Sequence, residues 1–381
     1  MSQGVAAGTA AATDASMSEA EIVSSSQRIH GVLAPVVTPF KADLAPDPER
    51  FVKHCRWLVS QNCGLAPFGT TSEANSMSKD ERISLLDALV AAGIDPSRMM
   101  PGTGCCSITE TVELTTHAVR HDCAGVLMLP PFYYKDVTEE GLYRYFSEVV
   151  QRVGDARLRI YLYHIPPVAV VGVTPRLVER LVKAYPSAIA GMKDSSGDWD
   201  NTKIFLDAFA GGSCQSSSDF NVFVGSESFL LANMRNGGAG TISATANVNP
   251  AAINALYQSA KSQAPNPKHQ GKSKHRKSKS TPLRQPRMLS ELQIGHETAS
   301  SIEYQILERQ QADLNVVREV FSSRKFPSMI AAIKQAVAIY ANDPEWARVR
   351  PPLGELTTEQ TKLLAEQLGA IGFKMNGIRR E

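Results

Sequence analysis

The sequence predicts an α/β protein in which one large (β/α)8 TIM barrel is followed by a C-terminal helical region. The chain has 381 residues, 43% of them hydrophobic, which supplies enough apolar material for a barrel of about 250 residues. Eight continuous apolar runs recur between residues 31 and 255, and amphipathic segments separate them. Continuous runs, unlike alternating ones, are typical of strands buried on both faces. We therefore expect residues 30–255 to form the barrel and to carry the active site.

The main rival architecture is a doubly wound open sheet. It needs a glycine-rich fingerprint directly after its first strand, where phosphates bind. Here the first run continues into Pro35-Val36-Val37-Thr38-Pro39-Phe40, which contains no glycine. The barrel is therefore favoured, and its predicted strands are residues 31–38, 65–69, 99–104, 125–129, 159–163, 189–193, 221–225 and 239–243.

Helix start signals follow several of these runs. Ser78 with Glu81, and Ser107 with Glu110, have the spacing of a capping box, in which each residue satisfies a free N–H of the other. Thr174 is followed by a proline, and a proline is well tolerated at the first helical position. Each signal precedes an apolar stripe, so the segments between the strands are expected to be helices.

The ends of the chain differ in composition from the barrel. Residues 1–29 are rich in Ala, Ser, Thr and Gly and lack an apolar core segment, so we expect a disordered tail rather than a secretory signal. Residues 256–381 are expected to be helical, with helical spacing at 326–342 and 357–371. A basic stretch at about 261–303 interrupts this region and is expected to be a disordered insertion, with a tether to nucleic acid or an acidic surface as the alternative.

Charge and cysteine content limit the possible partners and compartment. Residues 261–290 hold nine of the 40 basic residues, and the remaining 31 face 38 acidic residues, so the rest of the protein is acidic. We therefore expect no nucleic acid partner, and no run approaches the ~20 apolar residues that would span a membrane. The six cysteines form no C-x-x-C pair, which favours reduced thiols and a cytoplasmic location.

Four residues at predicted strand ends are candidates for chemistry, because the active site of such a barrel lies at the carboxyl ends of its strands. Lys193 stands in an apolar strand, where burial disfavours the ammonium form and frees the amine to attack a carbonyl. The alternative is a lysine paired with Asp194 or Asp198. Tyr163 ends the neighbouring strand and could move protons, or could be a core tyrosine. The hydroxyls and N–H groups of Thr70 and Thr71 could hold a carboxylate.

These motifs together resemble the dihydrodipicolinate synthase and N-acetylneuraminate lyase family of pyruvate-dependent class I aldolases. The similarity covers residues 30–260, and 349–353 with the following helix resemble the family's C-terminal region. The matching stretches are Gly69-Thr70-Thr71-Ser72-Glu73, Tyr133-Tyr134, Tyr163-His164-Ile165-Pro166, Gly191-Met192-Lys193-Asp194 and Gly237-Gly238-Ala239-Gly240-Thr241-Ile242-Ser243.

The resemblance implies a role for each matching position. It implies that Lys193 forms an imine with pyruvate and that Tyr163 shuttles protons, with Thr70 and Tyr134 as relay partners. The tyrosine at the position of Tyr134 reaches across a dimer interface in this family. The resemblance further implies that Thr71 contacts the pyruvate carboxylate. Ile242 is expected to pack against the pyruvate methyl group.

The sequence also departs from the family pattern. The arginine expected two residues after Pro166, which holds the carboxylate of aspartate semialdehyde, is replaced by Val168. That substrate is therefore not expected, and Ser72, in place of the usual glycine, gives no support for inhibition by lysine. His164 stands where asparagine is common and is expected to contact the second substrate or simply to pack. Ser226 and Glu227 are candidates for binding hydroxyls of an acceptor.

His117 and His121 lie four residues apart on a predicted helix, which is a spacing of metal ligands. A metal site needs a third ligand, and none is adjacent in the sequence. We therefore expect a solvated helix face, with no metal.

The sequence thus predicts a lyase that forms a lysine Schiff base with pyruvate and catalyses aldol addition to an aldehyde, or the reverse cleavage. The alternatives are a 2-keto-3-deoxy sugar-acid dehydratase with the same lysine, and an inactive barrel that acts as a binding protein. We expect no cofactor, because the iminium itself accepts the electrons. We also expect small-molecule substrates and a homodimer or homotetramer.

Overall fold

A computed structural model describes residues 28–210, 220–263 and 291–379. Within these ranges, parallel strands form one seven-stranded sheet in the order β2-β1-β7-β6-β5-β4-β3. The strands are β1 (Gly31–Ala34), β2 (Gly64–Leu65), β3 (Val126–Met128), β4 (Ile160–His164), β5 (Ile189–Asp194), β6 (Asn221–Val224) and β7 (Gly240–Ile242).

The two edges of this sheet are joined by the segment predicted as the third of eight strands, residues 99–104. Met100 N–H donates to Leu65 O at 2.8 Å, and Leu127 N–H donates to Pro101 O at 2.9 Å. Pro101 has no N–H to donate, so the ladder is confined to isolated bridges instead of an extended strand. The (β/α)8 prediction is confirmed, with the eighth position filled by this bridging segment.

Helices surround the strands and continue beyond them. Around the barrel they are α1 (Pro48–Ser60), α2 (Lys79–Ala91), α3 (Ile108–Arg120), α4 (Glu139–Val153), α5 (Pro175–Ala184), α6 (Trp199–Phe209), α7 (Leu230–Arg235) and α8 (Pro250–Gln263). The C-terminal region contains α9 (Glu291–Ser322), α10 (Met329–Ala341) and α11 (Thr358–Ala370). The three predicted start signals cap α2, α3 and α5; in the first, Ser78 Oγ accepts from Glu81 N–H and Glu81 Oε2 accepts from Ser78 N–H.

The barrel has separate inner and outer cores, because side chains alternate between the two faces of each strand. On β4, Tyr161 and Tyr163 belong to the inner core, whereas Ile160 and Leu162 pack outward against the helices. The inner core is filled by Leu33, Ala66, Met100, Leu127, Tyr161, Tyr163, Ala190, Phe223, Ala239 and Ile242. The barrel is therefore a packed body, and chemistry is confined to its mouth.

The C-terminal helices contact the mouth. Gln311 on α9 accepts from Leu231 N–H and donates to Glu227 O, and Lys334 on α10 donates to Thr38 O. Turns that follow strands of the barrel are thus held from outside by α9 and α10.

The predicted insertion at about 261–303 includes residues that the structure places in helices at both ends, since α8 continues to Gln263 and α9 begins at Glu291. Residues 264–290, and residues 1–27 of the predicted N-terminal tail, lie outside the described residues. In the part of the chain that is described, no helix combines the length and the apolar character needed to cross a membrane.

Candidate active site

Lys193 and Tyr163 lie side by side at the mouth of the barrel. They are register partners on the parallel strands β5 and β4, so both side chains point to the interior. Lys193 Nζ donates to the Tyr163 hydroxyl at 3.4 Å and lies 4.4 Å from the centroid of its ring. Both side chains are buried, with Lys193 only 4% exposed. An amine and a phenol in contact away from bulk water can exchange protons with a bound reactant.

Thr70 extends this contact into a line of three polar groups. It lies in the turn after β2, and its hydroxyl is 3.3 Å from the hydroxyl of Tyr163. The turn is closed by Ser72 N–H, which donates to Gly69 O at 3.1 Å, and by Glu73 N–H, which donates to Thr70 O at 3.1 Å. The structure therefore brings together three of the four predicted catalytic residues.

Glu73 fixes the far end of this turn. Its buried carboxylate accepts from Lys334 Nζ at 2.7 Å on one oxygen and from Arg350 N–H at 2.8 Å on the other. Lys334 Nζ also donates to Thr38 O at 2.7 Å, in the segment that follows β1. Burial lowers the pKa of Lys334 to about 8, and the Glu73 carboxylate opposes that shift. The Thr70 turn is thus attached to α10 by a buried ion pair.

Neither of the two carboxylates considered as partners of Lys193, those of Asp194 and Asp198, pairs with its amine. Asp194 faces the other side of β5, where its carboxylate accepts from Ser196 N–H at 2.8 Å and from Thr202 Oγ1 at 2.6 Å. Asp198 caps α6 and accepts from a backbone N–H there. Both carboxylates are therefore engaged away from the amine.

Thr71 and Ile242 are the two residues that were predicted to contact the keto acid itself. Thr71 follows Thr70 in the turn and is partly exposed. Ile242 ends β7, is fully buried and belongs to the same inner core as Tyr163. Thr71 thus contributes a hydroxyl to the turn after β2, and Ile242 contributes an apolar side chain to the barrel interior.

The position of His164 favours the packing alternative over contact with a substrate. It follows Tyr163 on β4, so its side chain points outward, where its ring lies 6.1 Å from that of Phe205 on α6. Its Nδ1 accepts from Val173 N–H at 2.9 Å. Burial lowers the pKa of the imidazole, against the opposing effect of Asp194.

Glu227 is buried and already has several protein partners. Ser243 Oγ and Thr245 Oγ1 donate to its two oxygens, and Arg318 Nη1 on α9 donates at 2.9 Å. Ser226 accepts from Ser228 N–H at 3.2 Å and is partly exposed. Of the two candidate hydroxyl binders, Ser226 is thus the more accessible.

Tyr134 does not enter the site of its own chain. Its side chain is 75% exposed, and its ring packs edge-to-face on the equally exposed ring of Tyr133 at 5.3 Å. Such a pair of exposed aromatic rings is typical of a contact with another molecule.

Sequence reasoning missed Lys334 and Arg318, the two cations that neutralise carboxylates at the mouth. Lys334 has a recognisable signal, because it is a single cation within the apolar helix sequence Met-Ile-Ala-Ala-Ile-Lys-Gln-Ala-Val. A charge in the middle of such a segment requires a buried partner. Arg318 has no such signal, because it lies among many charged residues of α9.

The described strands thus form a parallel barrel with a lysine and a tyrosine in contact at its mouth. The sequence model of the dihydrodipicolinate synthetase family matches residues 28–276, so the chain belongs to that family and is a lyase.

Individual relatives agree with this assignment. The chain is 35% identical over 233 residues to a 4-hydroxy-tetrahydrodipicolinate synthase of Thermus thermophilus, covering 60% of this chain and 73% of that protein. It is 32% identical over 229 residues to an uncharacterized DapA-like lyase of Chloroflexus aurantiacus, with the same coverage. The crystal structure of dihydrodipicolinate synthase from Agrobacterium tumefaciens superposes with a TM-score of 0.68 at 29% identity, covering 90% of this chain and 99% of that chain.

Proposed function

We propose that this lyase is a class I aldolase that captures pyruvate, or another 2-keto acid, as an imine on Lys193. In one direction the bound keto acid adds to an aldehyde. In the other, a bound 2-keto-4-hydroxy acid is cleaved to the keto acid and an aldehyde. The observation that carries the proposal is the line from Lys193 Nζ through the Tyr163 hydroxyl to the Thr70 hydroxyl, with steps of 3.4 and 3.3 Å.

Imine formation needs an unprotonated amine and a proton carrier. Lys193 Nζ attacks C2 of the keto acid, and the former carbonyl oxygen takes a proton from the Tyr163 hydroxyl. That oxygen then leaves as water after a second proton transfer, and an iminium remains on Lys193. The proton that the bonded nitrogen loses returns to Tyr163 through Thr70 after the first transfer, and the second transfer leaves Tyr163 as a phenolate hydrogen-bonded to Thr70.

The carbon–carbon step uses the iminium as the electron sink. The Tyr163 phenolate takes a proton from C3 to give an enamine, whose C3 bonds to the carbonyl carbon of the aldehyde. The aldehyde oxygen receives a proton from Tyr163, and water then hydrolyses the iminium to free Lys193. Thr71 is assigned to the keto-acid carboxylate and Ile242 to the methyl group, because Thr71 follows Thr70 in the turn after β2 and Ile242 ends β7 in the barrel interior.

We assign Tyr134 to a second copy of the chain. A side chain that is 75% exposed has room to enter the mouth of a neighbouring barrel across a dimer interface. A homodimer, alone or within a homotetramer, would complete the relay. Tyr134→Ala should then slow turnover while the Lys193 adduct still forms, and sedimentation at several concentrations should reveal the dimer.

The acceptor is expected to lack the carboxylate of aspartate semialdehyde. Val168 lies in the helical turn Pro166–Ala169 and is 61% exposed, so it presents no cation at that position. Ser226 is kept as the hydroxyl donor to the acceptor. We place the enzyme in the cytoplasm, since the described cysteines, such as buried Cys55 and Cys63, are free thiols.

Borohydride trapping tests the imine directly. The full chain is incubated with pyruvate and borohydride, and its intact mass and peptide map are measured. The proposal expects one reduced pyruvyl group on Lys193, lost in Lys193→Arg and kept in the matched variant Lys203→Arg on the surface of α6. A folded sample without an adduct would exclude both the aldolase and the dehydratase.

A substrate panel separates the remaining alternatives. Release of pyruvate from 2-keto-4-hydroxy acids indicates an aldolase, whereas loss of water from 2-keto-3-deoxy sugar acids indicates a dehydratase. An adduct with no turnover of either class would favour the binding protein.

A further inference from the structure

A second group of reactive side chains lies on the outside of the barrel, between α2 and α3. His117 Nε2 and His121 Nε2, four residues apart on α3, each lie 2.8 Å from Asp87 Oδ1 on α2. The three ligand atoms all lie within 4.8 Å of one another. The third ligand that the sequence did not supply next to the histidines thus comes from the neighbouring helix.

The hydrogen bonds of this group are incomplete. His121 Nε2 is aligned with Asp87 Oδ1 as a hydrogen bond. His117 Nε2 is equally close but misaligned, and within the described part of the chain this buried nitrogen has no hydrogen-bond partner. A buried imidazole nitrogen that faces a carboxylate and a second imidazole without a bond of its own is a free ligand position.

The helices that carry the group are already fixed relative to each other. Lys79 Nζ on α2 donates to Glu113 on α3 at 2.6 Å, and this ion pair joins the same two helices. Asp87 and His121 have the same separation along the chain as this ion pair, two turns farther on. In a barrel the helices run back from the mouth, so the group lies toward the opposite end from Lys193.

We propose that Asp87, His117 and His121 bind a divalent transition metal ion of the zinc class as a clamp between α2 and α3. Two imidazole nitrogens and one carboxylate oxygen form a three-ligand set that leaves one position for water. A tetrahedral zinc site has about 3.4 Å between ligand atoms, given metal–ligand bonds of about 2.0–2.2 Å. The 2.8 Å separations would therefore widen by about 0.6 Å, which side-chain rotation allows.

The ligand chemistry selects this class of ion. Imidazole suits Zn²⁺, Co²⁺, Ni²⁺ and Cu²⁺, whereas Mg²⁺ and Ca²⁺ require mostly oxygen ligands. The histidine side chains are 22% and 27% exposed and that of Asp87 is 49% exposed, so an ion can reach them from solvent. Binding requires neutral imidazoles, so each bound ion displaces any proton that His117 or His121 carries.

Metal titration of the full chain tests the site. Isothermal titration with Zn²⁺ should show one site per chain that Mg²⁺ does not fill, and Co²⁺ should give a visible spectrum without a thiolate charge-transfer band. At 100 times the dissociation constant, Zn²⁺ should raise the melting temperature by roughly 3–5 °C. Asp87→Asn, His117→Gln and His121→Gln should each weaken binding by more than about tenfold.

Other zinc-binding groups on the chain provide the controls. Cys106 is an exposed thiol, and His275 lies in the basic stretch, so Cys106→Ser and His275→Gln should leave the affinity unchanged. Melting in EDTA checks that each variant is folded before titration. Zinc binding that survives in His117→Gln and His121→Gln but disappears in either control would overturn the proposal, as would a melting temperature that Zn²⁺ does not raise.

Discussion

The ion pair between Glu73 and Lys334 permits a test of how far the mouth of the barrel depends on the C-terminal helices. Both side chains are fully buried, and the charged atoms are 2.7 Å apart. At an effective dielectric constant of about 20, this attraction amounts to about 6 kcal/mol, most of which offsets the desolvation of the two charges. Removal of one partner leaves the other charge buried and uncompensated, and this typically costs about 3–5 kcal/mol.

The variant Lys334→Met retains the length of the side chain and removes the charge. We expect it to lower the free energy of unfolding by about 3–5 kcal/mol, because Glu73 loses its cation and Thr38 O loses its donor. Urea unfolding at pH 7, followed by circular dichroism, measures this change. The exposed Lys362→Met on α11 is the matched control, expected within about 0.5 kcal/mol of the native protein.

A double-mutant cycle identifies the cause. Glu73→Gln with Lys334→Met removes both charges. The double variant should therefore lose less free energy of unfolding than the two single variants lose in sum. Because Glu73 N–H holds Thr70 O, Lys334→Met should also slow pyruvate imine formation. A loss below about 1 kcal/mol, or simple additivity in the cycle, would refute the reasoning.

Three further predictions concern protonation. Burial lowers the pKa of His54 to about 4. The free energy of unfolding should therefore be highest above pH 6.5 and should fall by about 2–3 kcal/mol toward pH 4. His54→Gln should abolish this part of the pH dependence, and a variant with the same dependence of stability on pH as the native protein would contradict the prediction. The hydrogen bonds from Arg350 lower the pKa of Glu81 below its usual 4.5, so Glu81→Gln should lose about 1 kcal/mol at pH 7, and the difference from the native protein should shrink as the pH falls below 4.5 and acid protonates Glu81. A difference that does not shrink below pH 4.5 would point to packing. Tyr163→Phe should lower kcat by about 10²–10⁴-fold, and the borohydride adduct on Lys193 should still form but more slowly, because the phenol also donates protons in the imine step. Native turnover would exclude the phenol as proton carrier.

The barrel and the central pair were predictable because both depend on local sequence. Apolar runs and capping residues locate the strands and helices, and alternation along β4 and β5 directs Tyr163 and Lys193 to the same interior. The same alternation places Asp194 on the opposite face of β5 from Lys193, where its carboxylate accepts from Thr202. It also directs the His164 side chain outward, where the structure shows it hydrogen-bonded to Val173 N–H.

The remaining features depend on contacts between distant parts of the chain. Glu73 and Lys334 are 261 positions apart, and Asp87 joins His117 from another helix. The periodicity of one segment does not predict which residue of a second segment will contact it. The third strand is a different case, because Pro101, whose missing N–H confines that segment to isolated bridges, was visible in the sequence.

Two buried carboxylates at the mouth are each paired with a cation from a C-terminal helix. Glu73 follows β2 and Glu227 follows β6, and each is neutralised by a cation from the C-terminal region, Lys334 on α10 and Arg318 on α9. A buried charge without its partner is strongly destabilising, so each turn holds its conformation only while its helix is docked. One of these turns carries Thr70. The helical region therefore forms part of the scaffold of the candidate active site, and the barrel strands alone do not define the geometry of the Thr70 turn.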